Sequence, residues 1–122
     1  MNASPAVMFE FIASDQQLLC DFYQSVFGWQ YELDGGFAYV NFAPQRITPL
    51  GGIGQAKPDV PGWQPGRNFY LATEDVKASL TKVVEAGGAV AVPVTETDGY
   101  TFAMFTDPEG NLVGLLQTRP NR

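Results

Sequence analysis

One order of elements occurs twice in this chain, and that repetition constrains the fold more than any single motif. Val7, Phe9 and Phe11 alternate with Met8, Glu10 and Ile12, a two-residue period that reads as a strand. Ser14 or Asp15 then caps a helix predicted to run through Phe27, with Leu18, Leu19, Phe22 and Val26 forming its apolar stripe and Gly28 stopping it. Strands are predicted over 29–33, 36–42 and 50–55, separated by "DGG" and "APQRITP" turns. A segment dense in Pro and Gly, 57–66, follows. The order then begins again. A strand over 68–73 leads to a helix over 75–86, with Val76, Leu80, Val83 and Val84 at helical spacing and Gly87-Gly88 as its stop. Strands over 89–94, 100–106 and 112–117 complete the second round. A constant offset carries Asp15 to Asp75 and Gly28 to Gly88, and the turns at Asp34-Gly35 and Asp98-Gly99 fall in equivalent places.

Each round is a βαβββ unit whose helix covers one sheet face and leaves the other bare. Two such units are expected to set their bare faces around a shared cleft. The predicted fold is therefore α+β, with two curved mixed sheets around a cup and the helices outside. The domain reading is one domain over 1–122, made of repeats 6–56 and 67–117 joined by the linker 57–66. A dimeric ferredoxin-like barrel is the alternative, but its unit is βαββ and not two rounds of βαβββ.

Apolar residues at 45% and charged residues at 16% mark a globular chain. A net charge of −6 argues against nucleic acid or an anionic membrane as partner, since both need basic patches. The opening "MNASPAVMFEF" lacks a basic leader, and no run approaches membrane-spanning length, so a cytoplasmic location is expected. The single Cys20 fits a reducing compartment and reads as an inert thiol in an amphipathic helix. With no histidine in the chain, Ser-His-Asp and Cys-His catalysis and most zinc or iron sites are excluded in their usual forms. A carboxylate-only site for magnesium or calcium is left open by composition alone.

The doubled βαβββ order, "DFYQSVFGW", "EDVKASLTKVVEAGGAV" and "FTDPEGNLVGLLQ" together resemble the vicinal oxygen chelate superfamily, which includes glyoxalase I, extradiol dioxygenases and bleomycin resistance proteins. The resemblance covers nearly the whole chain. It implies a cup in which four side chains from strands of the two units hold one divalent ion. Those positions fall on Met8, Asn68 and Gly114, with the remaining one near Gly52. A thioether, an amide and glycines cannot hold such an ion against water. Shifting the first strand by two residues would bring in Glu10 and nothing more. The resemblance is closest to the metal-free branch, in which bleomycin resistance proteins bind a ligand without transforming it. No cofactor is expected, and homodimerisation is what the family implies.

Strand alternation turns Met8, Glu10 and Ile12 toward the cup, with Asn68, Tyr70 and Ala72 on the fifth strand and Leu112, Gly114 and Leu116 on the eighth. Tyr39, Phe102 and Met104 join the candidate ligand-binding set, although alternation alone leaves the facing of Phe37, Tyr39, Phe102 and Met104 open. Glu10 has three readings: an ion pair with Arg67 or Arg46 or exposure at the rim, an anchor for a ligand, or a general base with its pKa raised by desolvation. Trp29, Tyr31 and Trp63 are aromatic stacking candidates that could equally fill a core. Trp63, in the Pro-rich segment, is expected to be the most exposed and is the candidate lid. Gly51-Gly52-Ile53-Gly54 reads as a strand narrowed by glycine, leaving space for a ligand or neighbouring backbone.

Three functions compete on these residues. The first is a protein binding a small hydrophobic or aromatic molecule, with a role in drug or toxin tolerance. The second is a metal-independent enzyme of the same superfamily using Glu10 with Tyr70 or Tyr39. The third is a protein-interaction partner without a ligand.

Overall fold

The computed structural model describes residues 4–42, 50–97 and 99–117. The elements run β1 (Ala6–Ala13), α1 (Gln16–Phe27), β2 (Gln30–Asp34), β3 (Phe37–Asn41), β4 (Leu50–Gln55), β5 (Gly66–Thr73), α2 (Val76–Glu85), β6 (Ala89–Thr97), β7 (Tyr100–Thr106) and β8 (Leu112–Gln117). The order is βαβββ twice, in an α+β fold. The chain forms two compact units: one is Met8–Asn68, and the other runs from Phe69 onward and includes the N-terminal residues through Val7. The 43–49 turn with Arg46, and Asp98 of the second DG turn, lie outside the described residues.

In the Met8–Asn68 unit the strands lie in the order β2-β3-β4-β1. β1 and β4 are parallel, with Glu10 beside Gly52, while β3 is antiparallel to both β2 and β4. The parallel pair needs a crossover, and α1 begins it. Asp15 caps α1 by accepting a hydrogen bond from the Leu18 N–H at 3.0 Å. Gly28 closes it in the left-handed region at φ 73°, its N–H donating to the Gln24 carbonyl at 3.0 Å. Ala13, Cys20, Ala38 and Ile53 form the buried core beneath the helix, with Phe11, Leu19, Tyr23, Trp29 and Tyr31 packed around it.

This packing corrects the expected stripe of α1. Leu18, Phe22 and Val26 point into solvent, and the row that meets the sheet is Leu19, Cys20 and Tyr23. The helix carries two apolar rows at i, i+4 spacing, and periodicity cannot choose between them. Gln16 settles the rotation: its Nε2 donates to the carbonyls of Gly36 at 2.9 Å and Ile53 at 2.7 Å, and its backbone N–H donates to Gln55 Oε1 at 2.9 Å.

The other unit has the strand order β5-β8-β7-β6. β5 and β8 are parallel, and β7 is antiparallel to both neighbours. α2, capped by Asp75 on the Ala78 N–H at 3.0 Å, buries Val76 and Leu80 against Ala103 and Leu115. Val84 is exposed, against expectation, because it lies round the helix from that contact. β6 continues three residues beyond the predicted 94. Its register shifts between Val92 and Thr95, which accommodates Pro93 on an edge strand where no donor is needed.

The segment 57–66 is a closed loop of the first unit. The Lys57 N–H donates to the Trp63 carbonyl at 2.9 Å, and Gln64 Nε2 donates to the carbonyls of Pro58 and Val60 at 3.2 and 3.0 Å. β5 starts at Gly66, two residues before the predicted strand.

Candidate functional site

Since Phe11, Ala13, Ala38 and Ile53 face α1, alternation turns Glu10, Ile12, Phe37, Tyr39, Gly52 and Gly54 to the opposite face of the same sheet. Glu10 is only 6% exposed, which overturns the rim reading. A carboxylate buried to that degree is costly unless hydrogen-bonded. Asn68 supplies a donor, its Nδ2 lying 2.9 Å from Glu10 Oε1. Two expected site residues are therefore in direct contact. Ile12, two residues along β1 from Glu10, is buried, and Met8 is half-buried.

The glycines of β4 admit aromatic rings. A side chain at Gly52 would collide with the Phe37 ring and the Ala38 carbonyl, and one at Gly54 with the Trp63 indole and the Phe37 ring. The narrowing therefore serves packing within the unit, with the neighbouring backbone at one point. The Phe37 and Tyr39 rings meet edge to face at 4.7 Å. Trp63 is half-buried, a correction to its expected exposure, and Lys57 Nζ lies 4.5 Å from its ring centroid. Trp29 and Tyr31 are on the helix side: Trp29 stacks on Tyr23 at 4.6 Å, and the Tyr31 hydroxyl donates to the Cys20 carbonyl at 2.8 Å. Burial pushes the Cys20 thiol up, which disfavours the thiolate, and burial is also the main reason that Tyr31 is raised to about 12.

Phe37 is the residue that sequence reasoning left out of the site. Its signal was present in the facing glycines, since a bare strand position invites a neighbour's ring.

In the second unit, Leu71, Ala103 and Leu115 face α2, so Tyr70, Phe102, Met104 and Gly114 share the other face. The Tyr70 hydroxyl lies 3.9 Å from Met104 Sδ, and its ring meets Phe102 at 6.3 Å. Tyr70 is paired in register with Gly114, and its ring fills the space that a side chain there would need.

These details test the divalent ion that the fold family implies. Gly52 and Gly114 offer no side-chain donor, and aromatic rings occupy the room in which one would stand. Met8 brings a thioether and Asn68 an amide already engaged with Glu10. Among the described residues, no three His, Cys, Asp or Glu side chains gather into a cluster. This donor set does not fit a hard or borderline dication, which needs several charged or imidazole ligands.

Known proteins place the chain clearly. Residues 6–115 match the family described as the Glyoxalase/Bleomycin resistance protein/Dioxygenase superfamily. The CFP32 protein of Mycobacterium tuberculosis, provisionally named a glyoxylase, is 36% identical over 109 residues, which are 85% of this chain and 42% of the relative. The chain thus spans less than half the length of that curated relative. Among solved structures, a superfamily member from Vibrio splendidus aligns with a TM-score of 0.63 at 14% identity, covering 93% of this chain and 98% of that one. A methylmalonyl-CoA epimerase from Streptomyces coelicolor aligns at 0.66 and 14% identity, covering 99% and 100%. At such identities the likeness is one of fold alone. Taken with the doubled βαβββ order, the family match means that this chain belongs to the glyoxalase/bleomycin resistance protein/dioxygenase superfamily.

Proposed function

We propose that this chain is a small-molecule-binding protein of the glyoxalase/bleomycin resistance type that holds a hydrophobic or aromatic ligand without a chelated metal ion. The observation that carries the reading is a buried carboxylate standing beside a glycine where the family would hold a metal ligand. Glu10 pairs in register with Gly52 and takes a hydrogen bond from Asn68, while Phe37 fills the ligand's place. Such a face is mostly apolar with one fixed polar handle, the composition expected of an organic ligand site. Met8, Ile12, Tyr39 and Trp63 complete its surround. Tyr70, Phe102, Met104 and Gly114, on the corresponding face of the second unit, belong to the same proposal.

The reading includes self-association, a cytoplasmic location, and tolerance of a drug or toxin by sequestration, which needs no turnover. Nucleic acid is not a partner in it, as a net charge of −6 supports. The described residues contain no helix long and apolar enough to cross a membrane.

A thermal-shift screen of aromatic and apolar small molecules in the presence of chelator tests the binding reading. A hit is expected to return unchanged by mass spectrometry, and Glu10→Gln is expected to weaken it roughly tenfold, the worth of one charged hydrogen bond. A second reading, an enzyme using Glu10 as a general base, is favoured by the burial of that carboxylate. Product formation that Glu10→Gln abolishes while binding persists would establish the second reading and remove the first.

A further inference from the structure

The loop 57–66 brings a cation to the edge of the ligand face of its own unit. Gly54 shares a face of β4 with Gly52, and its vacant side turns to the Trp63 indole and the Phe37 ring. Lys57 Nζ lies 4.5 Å from the centroid of that indole, close enough for the ring to attract the ammonium. The backbone fixes the pair. The Lys57 N–H donates to the Trp63 carbonyl at 2.9 Å, and the Trp63 and Val60 N–H groups donate to the carbonyls of Val60 and Lys57 at 3.0 Å each. Gly62 turns the loop in the left-handed region at φ 87°, and the Ala56 N–H ties its base to the Ala13 carbonyl at 2.8 Å. Lys57 is exposed, and among the described residues its ammonium meets the indole and no carboxylate. In a chain of net charge −6, that is not for want of carboxylates.

We propose that Lys57 determines which ligand is taken: it holds the carboxylate of a ring-bearing monoanion whose ring lies against Phe37 and Trp63. The proposal rests on the binding reading above and names the charge of its ligand. The face has a polarity along β4. Glu10 stands beside Gly52 at one end, and Lys57 stands over Trp63, which abuts Gly54, at the other. Gly52 and Gly54 are about 7 Å apart along the strand, room for one aromatic ring between the two polar ends. A ligand anion gains nothing from the acceptor oxygens of a carboxylate at the Glu10 end. At the Lys57 end it meets ammonium donors, one side of which is already steadied by the indole. A single ammonium suits a carboxylate. It lacks the planar fork that grips a phosphate by two bonds, and a net charge of −6 opposes a second negative charge on the ligand.

Equilibrium dialysis of the full chain in chelator reads the preference directly, with naphthoate, naphthamide and naphthylmethylamine as probes that share a ring and differ in charge. Naphthoate is expected to bind about fivefold more tightly than naphthamide, the scale of one partly exposed ion pair. Added salt is expected to erode that difference. In Lys57→Gln the acid and the amide are expected to bind alike, while Lys57→Arg keeps the preference; circular dichroism checks that both variants are folded. A preference for the acid that survives in Lys57→Gln overturns the assignment to Lys57. Should Lys57→Gln not fold, salt decides, and a preference in wild type that high salt leaves unchanged overturns the assignment. Naphthamide or naphthylmethylamine binding as tightly as naphthoate to wild type overturns the charge of the ligand and leaves the binding reading standing. Absence of binding by all three probes overturns the ligand class, and the binding reading is then decided by its own thermal-shift screen.

Discussion

Tyr70 and Gly114 show how a bare strand position admits a neighbour's ring. The tyrosine is 6% exposed, held by Met104 and Phe102, and its ring occupies the volume above the glycine. Gly114→Ala forces a buried ring out of its place, at a cost of about 1–3 kcal/mol in urea unfolding. The same substitution added to Tyr70→Ala is expected to cost little, because the two positions compete for one space. Equal costs in both backgrounds would mean that the ring is not what the glycine accommodates. The two-residue period of β1 made the facing of Glu10 legible in the sequence, since neighbouring positions must alternate. It did not reveal the hydrogen bond from Asn68 or the ring of Phe37 over Gly52, because both depend on which strands become neighbours.

At the scale of elements, the β7–β8 hairpin turns on Asp107. Its Oδ1 accepts from the N–H groups of Glu109 and Asn111, and its Oδ2 accepts from Asn111 Nδ2, each at 2.9 Å. The side-chain bond from Asn111, followed by its backbone bond, holds the carboxyl below its ordinary value of 3.8. Because folding lowers this pKa, the turn gains stability that is present above the unfolded value. That gain is lost as pH falls through the lower folded value. The protection of the Glu109 and Asn111 amides, taken relative to the intrinsic exchange rate at each pH, should therefore fall in acid, and Asp107→Ala should show less protection than wild type at neutral pH, with the gap closing in that acid range. A gap that persists unchanged to low pH would assign the turn's order to something other than the carboxylate.

The helix ends were readable for the same reason as this turn: Asp15, Asp75 and Gly28 each do a local job with a local partner. The rotation of α1 was not, since Leu18-Phe22-Val26 and Leu19-Tyr23-Phe27 offer the same spacing. A polar residue, Gln16, decides between them through bonds to β4 and to the β2–β3 turn. β6 outran its predicted end because Pro93 breaks a strand only where its missing N–H is wanted.

For the molecule as a whole, the repetition of βαβββ carried the fold, and the family match over residues 6–115 agrees with it. The reaction does not follow from the fold, because function is set by the groups a fold carries. Here those groups are a buried carboxylate, an amide and a set of rings. The same reasoning explains why the absence of histidine was so informative in the sequence, and why the ligand's identity was not.

The most direct measurement is calorimetric titration of the first ligand found by the screen, performed once in strong chelator and once with one equivalent each of zinc, manganese, nickel or magnesium. The account expects the same affinity in every titration and no stoichiometric metal retained by mass spectrometry. Affinity or turnover that appears only with a bound equivalent of metal would contradict it.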